Sequence, residues 1–241
     1  MKPALVLLHG WGAHKRVWDE LAARLGKDLN VMASDLPGCD TAPCTIERTV
    51  DQLAAAAPAQ CVVTGWSLGG QLALAWARRY PQQVKRLILI SATPRFVSAP
   101  DWPHGMAPEV FAEFSASLTH DAVTTLRRFL LLQTQGDVQA RNVARQLEAA
   151  LALQALPGSS ALIETLRWLQ TTDLRATLPE IAQPTLVMHG DRDRIAAPAA
   201  GEYLSAHLPQ ACLALLAGAA HVPFISEPDV MCKLMIDFCN E

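Results

Sequence analysis

Short apolar runs alternate with longer helical patterns along most of the chain. The short runs occupy residues 5–8, 30–33, 61–64, 87–90, 185–188 and 212–216. Runs such as LVLL and LILI lack the alternation of apolar and polar residues that a half-exposed strand shows, and they are typical of strands covered on both faces. The pattern therefore predicts an α/β fold with a mostly parallel central sheet and helices on both faces.

The strand pattern stops between residues 97 and 172, where the sequence reads as helices. These helices are predicted at 106–118, 121–133, 137–154 and 159–171, with a break at 156–158 (LPG). Because parallel sheets bind ligands at the carboxyl ends of their strands, an insertion of this length predicts a cap over those ends. We therefore expect a core formed by residues 1–96 and 173–241 and a helical cap formed by residues 97–172.

Composition and charge narrow the class of protein. A chain of 241 residues with 51% hydrophobic and 18% charged residues fits one ordinary globular domain. The net charge of -3 argues against a nucleic-acid partner. The apolar run near the amino terminus is too short for a membrane span, so we expect a cytoplasmic protein. Six cysteines form no CxxC pair, and free thiols are expected.

A candidate nucleophile lies in residues 65–69, which read GWSLG between a predicted strand and a predicted helix. In this context the G-x-S-x-G motif places its serine on a sharp turn above the sheet. Without the flanking strand and helix, the same five residues would be an ordinary glycine-rich turn. The context favours Ser67 as the nucleophile.

A serine nucleophile needs a base, and the base needs an acid that holds its tautomer. His221 follows the last predicted strand in a loop of small residues, and we expect it to be the general base. Two aspartates of the GDRDRI segment, Asp191 and Asp193, compete for the role of the acid. In hydrolases with this loop the acid stands three residues after the glycine, which selects Asp193, whereas Asp191 is expected to stabilise the turn. His189 is expected to be structural.

The oxyanion hole is expected to combine the backbone N–H groups of Leu68 and Trp11, the latter in the HGWG loop after the first strand. An ordinary turn is the alternative for this loop. The rings of Trp11 and Trp66 flank the nucleophile region. Each ring either lines an acyl pocket or packs in the core, and the sequence leaves both readings open.

With these residues in place, the chain resembles the pimeloyl-[acyl-carrier protein] methyl ester esterases of biotin synthesis, an α/β-hydrolase family. The likeness covers nearly the whole chain. It is carried by LLHGWG at 7–12, DLPG at 35–38, GWSLGG at 65–70 and AAHVPFIS at 219–226. In the insertion and just after it, it is carried by 128–130, 132–134, 140–141 and 172–175. The resemblance implies the α/β-hydrolase fold, with an inserted helical cap that sets the choice of substrate. The sequence begins almost at the HGWG strand, so we expect a departure from the many such hydrolases that place a hairpin before this strand.

The resemblance also implies an activity. It implies hydrolysis of the methyl ester of a pimeloyl chain on acyl-carrier protein, through an acyl-enzyme on Ser67 that His221 then opens with water. It implies no metal and no organic cofactor, and it implies that Trp11 and Leu68 hold the oxyanion. Phe129, at a matching cap position, would contact the acyl chain, with helix packing as the alternative.

The expected partner is acyl-carrier protein, which is strongly acidic and would need a local basic patch on this chain. Arg141 and Arg145 stand four residues apart on one predicted helix face, and Arg127 and Arg128 lie on the preceding helix. A solvated helix face explains these arginines equally well. We expect no nucleic-acid or membrane partner, and we expect a monomer.

Two other functions remain open. The nearest is a broad carboxylesterase for small soluble esters, which would use the same triad without a protein partner. The second is a non-catalytic ligand receptor of the same fold. Haloalkane dehalogenation and epoxide opening usually require an aspartate where Ser67 stands, and the serine disfavours them.

Overall fold

The computed structural model describes residues 2–36, 45–152 and 159–241. Cys39, Cys44, the second half of the DLPG segment and the predicted break at 156–158 lie outside these ranges. Within them, no helix is both long enough and apolar enough to cross a bilayer.

A six-stranded sheet forms the centre of the molecule, in the order β2-β1-β3-β4-β5-β6. The strands are β1 Ala4–Leu8, β2 Asn30–Ser34, β3 Cys61–Trp66, β4 Val84–Ile90, β5 Thr185–Gly190 and β6 Ala211–Leu216. All five neighbouring pairs are parallel. Each predicted apolar run lies within one of these strands, so the predicted parallel sheet is confirmed.

Helices connect the strands. They are a 3-10 helix at Lys15–Trp18, α1 Asp19–Leu25, α2 Ile46–Ala56, α3 Leu68–Arg79, α4 Pro108–His120, α5 Ala122–Gln133, α6 Ala140–Ala152, α7 Ser159–Thr171, a 3-10 helix at Arg175–Glu180, α8 Pro198–His207, α9 Pro223–Ser226 and α10 Pro228–Asn240. The helices α4 to α7 match the predicted insertion closely, except that α6 begins three residues late. The Asp137 carboxylate accepts the N–H of Gln139, and this bond holds a turn where the helix was expected.

Two apolar cores cover the two faces of the sheet, as the unbroken apolar strands predict. In β1, Leu5 and Leu7 belong to the core beneath α1 and α10. Val6 and Leu8 belong to the opposite core, which α2, α3 and α8 cover. Burying one such side chain contributes about 1.5–3 kcal/mol, so the sheet is held from both sides.

The helices α4 to α7 meet the core at the carboxyl ends of the strands. Trp11, two residues after His9 at the end of β1, donates its indole N–H to the carbonyl oxygen of Leu162 in α7 at 3.1 Å. The turn between α5 and α6 contacts the loop after β6, where Val138 donates its N–H to the Gly218 carbonyl oxygen at 2.9 Å. The division into core and cap at residues 97 and 172 stays a prediction.

Candidate active site

Ser67 lies at a sharp bend between β3 and α3. Its backbone has φ 55° and ψ -117°, a conformation that costs a residue other than glycine about 1–3 kcal/mol. The flanking glycines make the bend possible, because a Cβ at Gly65 would collide with the backbone of Gly69, and a Cβ at Gly69 would collide with the carbonyl oxygen of Leu8. The sequence motif therefore dictates a turn that no larger residue at 65 or 69 could form.

His221 and Asp193 form a buried pair. The Nδ1 atom of His221 donates to the Oδ2 atom of Asp193 at 2.8 Å, and the two residues are 1% and 4% exposed. The other carboxylate oxygen accepts the backbone N–H groups of Ile195 and Ala196 at 2.8 and 3.0 Å. With Nδ1 protonated towards Asp193, Nε2 is the basic nitrogen of the imidazole.

The charge state of Asp193 follows from these contacts. Burial would raise the pKa of this carboxyl, but the His221 charge and the hydrogen bonds from His189 and His221 outweigh burial and lower its pKa below the usual range. The carboxylate therefore stays ionised at neutral pH and well into the acidic range. An ionised carboxylate at this place stabilises a positive imidazole on His221.

His221 lies next to the end of β3. The indole N–H of Trp66 donates to the His221 carbonyl oxygen at 2.8 Å, and the centroids of the two rings are 5.7 Å apart. Because Ser67 directly follows Trp66, this bond brings the histidine loop to the serine turn. The Ser67 hydroxyl makes no hydrogen bond to the imidazole within the described ranges, and such contacts often tighten only when substrate binds.

Asp191 is exposed and does not reach His221. Its Oδ1 atom accepts the N–H of Gly218 at 2.7 Å, and the neighbouring Arg192 N–H bonds the Ala219 carbonyl oxygen at 3.0 Å. These bonds join the acid loop to the histidine loop. The geometry thus distinguishes the two aspartates: Asp193 contacts the imidazole, and Asp191 bonds the backbone of the histidine loop.

His189 is a second partner of the Asp193 carboxylate, whereas the sequence predicted only a structural role for this histidine. It is fully buried at the end of β5, and its Nε2 atom lies 2.8 Å from the Ala196 carbonyl oxygen and 3.3 Å from Asp193 Oδ2. Both neighbours are acceptors, so Nε2 carries the proton and shares it between them. Its position at a strand end beside the acid loop was the only sequence signal for this contact.

The HGWG loop lies against the serine turn. A Cβ at Gly10 would come within 3.2 Å of the Ser67 Cβ atom. Leu68 is the first residue of α3, where the backbone N–H has no acceptor within the helix, and the backbone N–H of Trp11 donates to no acceptor within the described residues. Within the described residues, neither predicted oxyanion donor has an acceptor for its backbone N–H; Leu68 directly follows Ser67, and Trp11 directly follows the glycine that lies against it.

His9 fixes the start of this loop. Its Nε2 atom accepts the N–H of Leu36 at 3.1 Å, and its Nδ1 atom donates to the Gly10 carbonyl oxygen at 2.9 Å. Only the neutral imidazole can make both bonds. Burial is the largest influence on this group and lowers the pKa of His9 to about 4.

We expect His9 to make the protein less stable in acid. In the unfolded chain a histidine has a pKa near 6.5. Between about pH 6.5 and 4, His9 is therefore protonated in the unfolded state and neutral in the folded state. The free energy of unfolding should fall by about 2–3 kcal/mol from pH 7.5 to 4.5 on this account. Urea unfolding of the wild type and of His9→Gln, whose amide does not titrate, measures the difference. Parallel curves of unfolding free energy against pH would contradict the assignment.

The two tryptophans have different surroundings. Trp11 packs edge-on against Phe114 and Phe129 of the inserted helices, with ring centroids 5.4 and 5.3 Å away. Trp66 instead packs with Trp18 and Phe224 in the core beneath α1 and α10. Trp11 and Phe129 therefore form one aromatic cluster beside the serine turn, and Trp66 serves the core and the histidine loop.

Arg141 and Arg145 are exposed on α6. The same helix turns Val143 and Leu147 inward, and both are fully buried. Arg145 donates to the Asn142 side chain at 3.0 Å, and Arg141 has no carboxylate partner in the described part of the chain. The two arginines do not touch the serine, and the structure places them on the outer face of the inserted helices.

Comparisons with known proteins agree with this architecture. The profile of the Alpha/beta hydrolase family matches residues 5–234. A pimeloyl-[acyl-carrier protein] methyl ester esterase from Aromatoleum aromaticum is 41% identical over 98% of this chain and 97% of its own length. One from Xanthomonas axonopodis is 42% identical over 98% and 94%.

A solved bromoperoxidase structure from Bacillus anthracis superposes with a TM-score of 0.87 over all of this chain and 93% of its own, at 19% identity. At that identity the superposition supports the fold alone. The profile match and the two relatives cover nearly the whole chain. The chain therefore belongs to the alpha/beta hydrolase family and, within it, to the pimeloyl-[acyl-carrier protein] methyl ester esterases, a group of carboxylic ester hydrolases.

Proposed function

We propose that this protein hydrolyses the methyl ester of a pimeloyl chain carried on acyl-carrier protein, with Ser67 as nucleophile, His221 as general base and Asp193 as the acid that orients it. The observation that carries the proposal is the buried His221–Asp193 pair, held against the end of β3 beside a strained serine. The names of the relatives supply the substrate.

The chemistry proceeds in two steps. Ser67 Oγ attacks the ester carbonyl while Nε2 of His221 takes its proton, and the N–H groups of Trp11 and Leu68 stabilise the negative oxygen. The C–O bond to the methoxy group breaks, and His221 returns the proton to release methanol. His221 next takes a proton from water, whose hydroxyl attacks the acyl-enzyme, and Ser67 leaves with that proton as the free carboxylate forms.

The aromatic cluster supports an acyl pocket beneath the inserted helices. Trp11 contributes both an oxyanion donor and a ring that packs against Phe129. A methylene chain that entered beside these rings would pass directly from the apolar cluster to Ser67. Residues 97–172 would then serve as the cap that the sequence pattern predicts, with Phe129 contacting the acyl chain.

A basic surface on the cap supports a carrier protein as the partner. Residues 122–152, which contain α5 and α6, have four arginines, at 127, 128, 141 and 145, and two acidic residues, Asp137 and Glu148. Glu148 is exposed, so the exposed arginines outnumber the exposed acids by four to one. All four arginines are exposed, whereas Asp137 is only 7% exposed. The outer face of α5 and α6 is therefore positive although the whole chain carries a net charge of -3. Such a face suits the acidic surface and the phosphate group of an acyl-carrier protein.

Removing two of these charges tests the partner. We expect Arg141→Ala/Arg145→Ala to lower kcat/KM for the carrier-bound methyl ester about tenfold at low salt, because each lost charge weakens the encounter with an acidic protein. Hydrolysis of a small soluble pimeloyl methyl ester should change less than twofold. Steady-state kinetics on both substrates at two salt concentrations gives the comparison.

A matched control is Lys27→Ala/Lys85→Ala, which removes two exposed positive charges at the amino ends of the strands, away from Ser67. This variant should leave both substrates unaffected. Equal loss on the carrier-bound and the soluble ester in the arginine variant would contradict a docking role. Equal rates on the two esters in the wild type would favour the broad carboxylesterase instead.

A further inference from the structure

The turn between α5 and α6, residues 134–139, lies directly against the loop that carries His221. The backbone N–H of His221 donates to the carbonyl oxygen of Gln133, the last residue of α5, at 3.1 Å. The N–H of the preceding residue, Ala220, donates to the Oδ2 atom of Asp137 at 2.9 Å. Two consecutive backbone amides at the proposed base are thus held by the inserted helices and not by the core.

Asp137 is well suited to hold a backbone in place. Its Oδ1 atom accepts the N–H of Gln139 at 2.7 Å while Oδ2 accepts Ala220, so one rigid carboxylate joins the turn to the histidine loop. The side chain is only 7% exposed, and no basic side chain pairs with it in the described ranges. A buried carboxylate without a cation is costly unless its hydrogen bonds are made, which ties its position to these two amides.

The backbone at His221 is clamped from two sides. The inserted helices hold the N–H groups of Ala220 and His221, and Trp66 of β3 holds the His221 carbonyl oxygen at 2.8 Å. These bonds fix the main chain from which the imidazole projects, and the bond from Nδ1 to Asp193 orients the ring itself. A displacement of about 1 Å at a reacting group can cost as much as a hundredfold in rate.

We propose that Asp137 is a positioning residue, which sets the orientation of His221 through the Ala220 N–H. The inference rests on the proposed function, in which His221 is the general base. It adds that the inserted segment does more than cover the site, since the carboxylate of Asp137, in the turn between α5 and α6, positions His221 relative to Ser67.

Substitution of Asp137 tests this role on a small soluble ester, p-nitrophenyl butyrate. We expect Asp137→Ala to lower kcat about tenfold or more with KM changed less than twofold, and to slow labelling of Ser67 by a small fluorophosphonate by the same factor. Asp137→Asn keeps one acceptor oxygen and should lose less. Assays run below the melting temperature of every variant, as measured by circular dichroism.

The matched control is Asp121→Ala at the other end of α5, where the carboxylate accepts the N–H of Thr124 and touches no part of the histidine loop. This variant should lower the melting temperature by about 2–4 °C and leave kcat unchanged. Unchanged kcat in both Asp137 variants, or equal kcat losses in Asp121→Ala and Asp137→Ala, would overturn the positioning role. Should Asp137→Ala not fold, Asp137→Asn alone decides.

A double substitution separates this inference from the proposed function. In a His221→Ala background, Asp137→Ala should lower the residual rate no further, because its effect passes through the missing imidazole. A further tenfold loss in that background would refute the positioning role. If His221→Ala retained full activity, the proposed mechanism would be contradicted. If His221→Ala were inactive and Asp137→Ala had the wild-type kcat, only the inference on Asp137 would be contradicted.

Discussion

Ser67→Ala should lower kcat for ester hydrolysis by about 10⁴-fold or more, since the proposed acyl-enzyme forms on the Ser67 hydroxyl. The melting temperature should stay within a few degrees of the wild type, because the side chain is small and only half-buried. Steady-state kinetics on p-nitrophenyl butyrate and mass spectrometry after a fluorophosphonate probe give the two readouts. The wild type should carry one label on the peptide that contains Ser67, and the variant should carry none.

The control is Ser205→Ala on α8, a serine of similar exposure away from the turn. It should keep both the rate and the label. A label on Ser67→Ala, or wild-type turnover in that variant, would reject the serine mechanism.

The strain at this turn predicts a second property of the same position. The positive φ of Ser67 is a cost to any residue with a Cβ, so Ser67→Ala keeps it and Ser67→Gly removes it. Ser67→Gly should be inactive yet more stable than Ser67→Ala by about 1 kcal/mol in urea unfolding, after the greater chain entropy of glycine is counted. Equal unfolding free energies of the two variants would contradict stored strain at Ser67.

Features that depend on neighbours in the sequence could be predicted from it. The six strands follow from apolar runs, and the serine turn follows from two glycines: the missing Cβ of Gly65 lets β3 meet α3, and that of Gly69 lets α3 meet the end of β1. The choice of Asp193 over Asp191 followed from spacing after a glycine, and the structure places only Asp193 against the imidazole. In these cases a local constraint determines the geometry.

Features that depend on distant segments could not be predicted. The bond from Ala220 to Asp137 joins residues 83 positions apart, and no local pattern marks either partner. The same carboxylate explains why α6 begins at Ala140 and not at residue 137 as predicted. The side chain of Asp137 accepts the N–H of Gln139, and this bond favours a turn over the first turn of the helix. The surroundings of Trp66 could not be predicted either. Successive side chains of β3 point to opposite faces of the sheet, but this does not indicate which aromatic rings cover the face of Trp66.

Asp193→Asn should lower kcat by about 10³–10⁴-fold with little change in KM. An asparagine side chain can turn its amide N–H towards Nδ1 of His221, which then becomes the acceptor and leaves the proton on Nε2. An imidazole with a protonated Nε2 cannot take the proton of Ser67. The lost charge also removes the stabilisation of the positive imidazole that forms in each step of the proposed mechanism.

Asp191→Asn is the matched control, two residues away in the same loop. Its remaining amide oxygen can still accept the Gly218 N–H, so kcat should fall less than about threefold. Kinetics on p-nitrophenyl butyrate across pH 6–9 compares the two variants at equal folding, measured by circular dichroism. A large loss in Asp191→Asn with a mild one in Asp193→Asn would reverse the assignment of the acid. Similar losses of kcat in both variants would mean that the loop affects kcat through its conformation alone, because the charge of Asp193 would then contribute no more than that of Asp191.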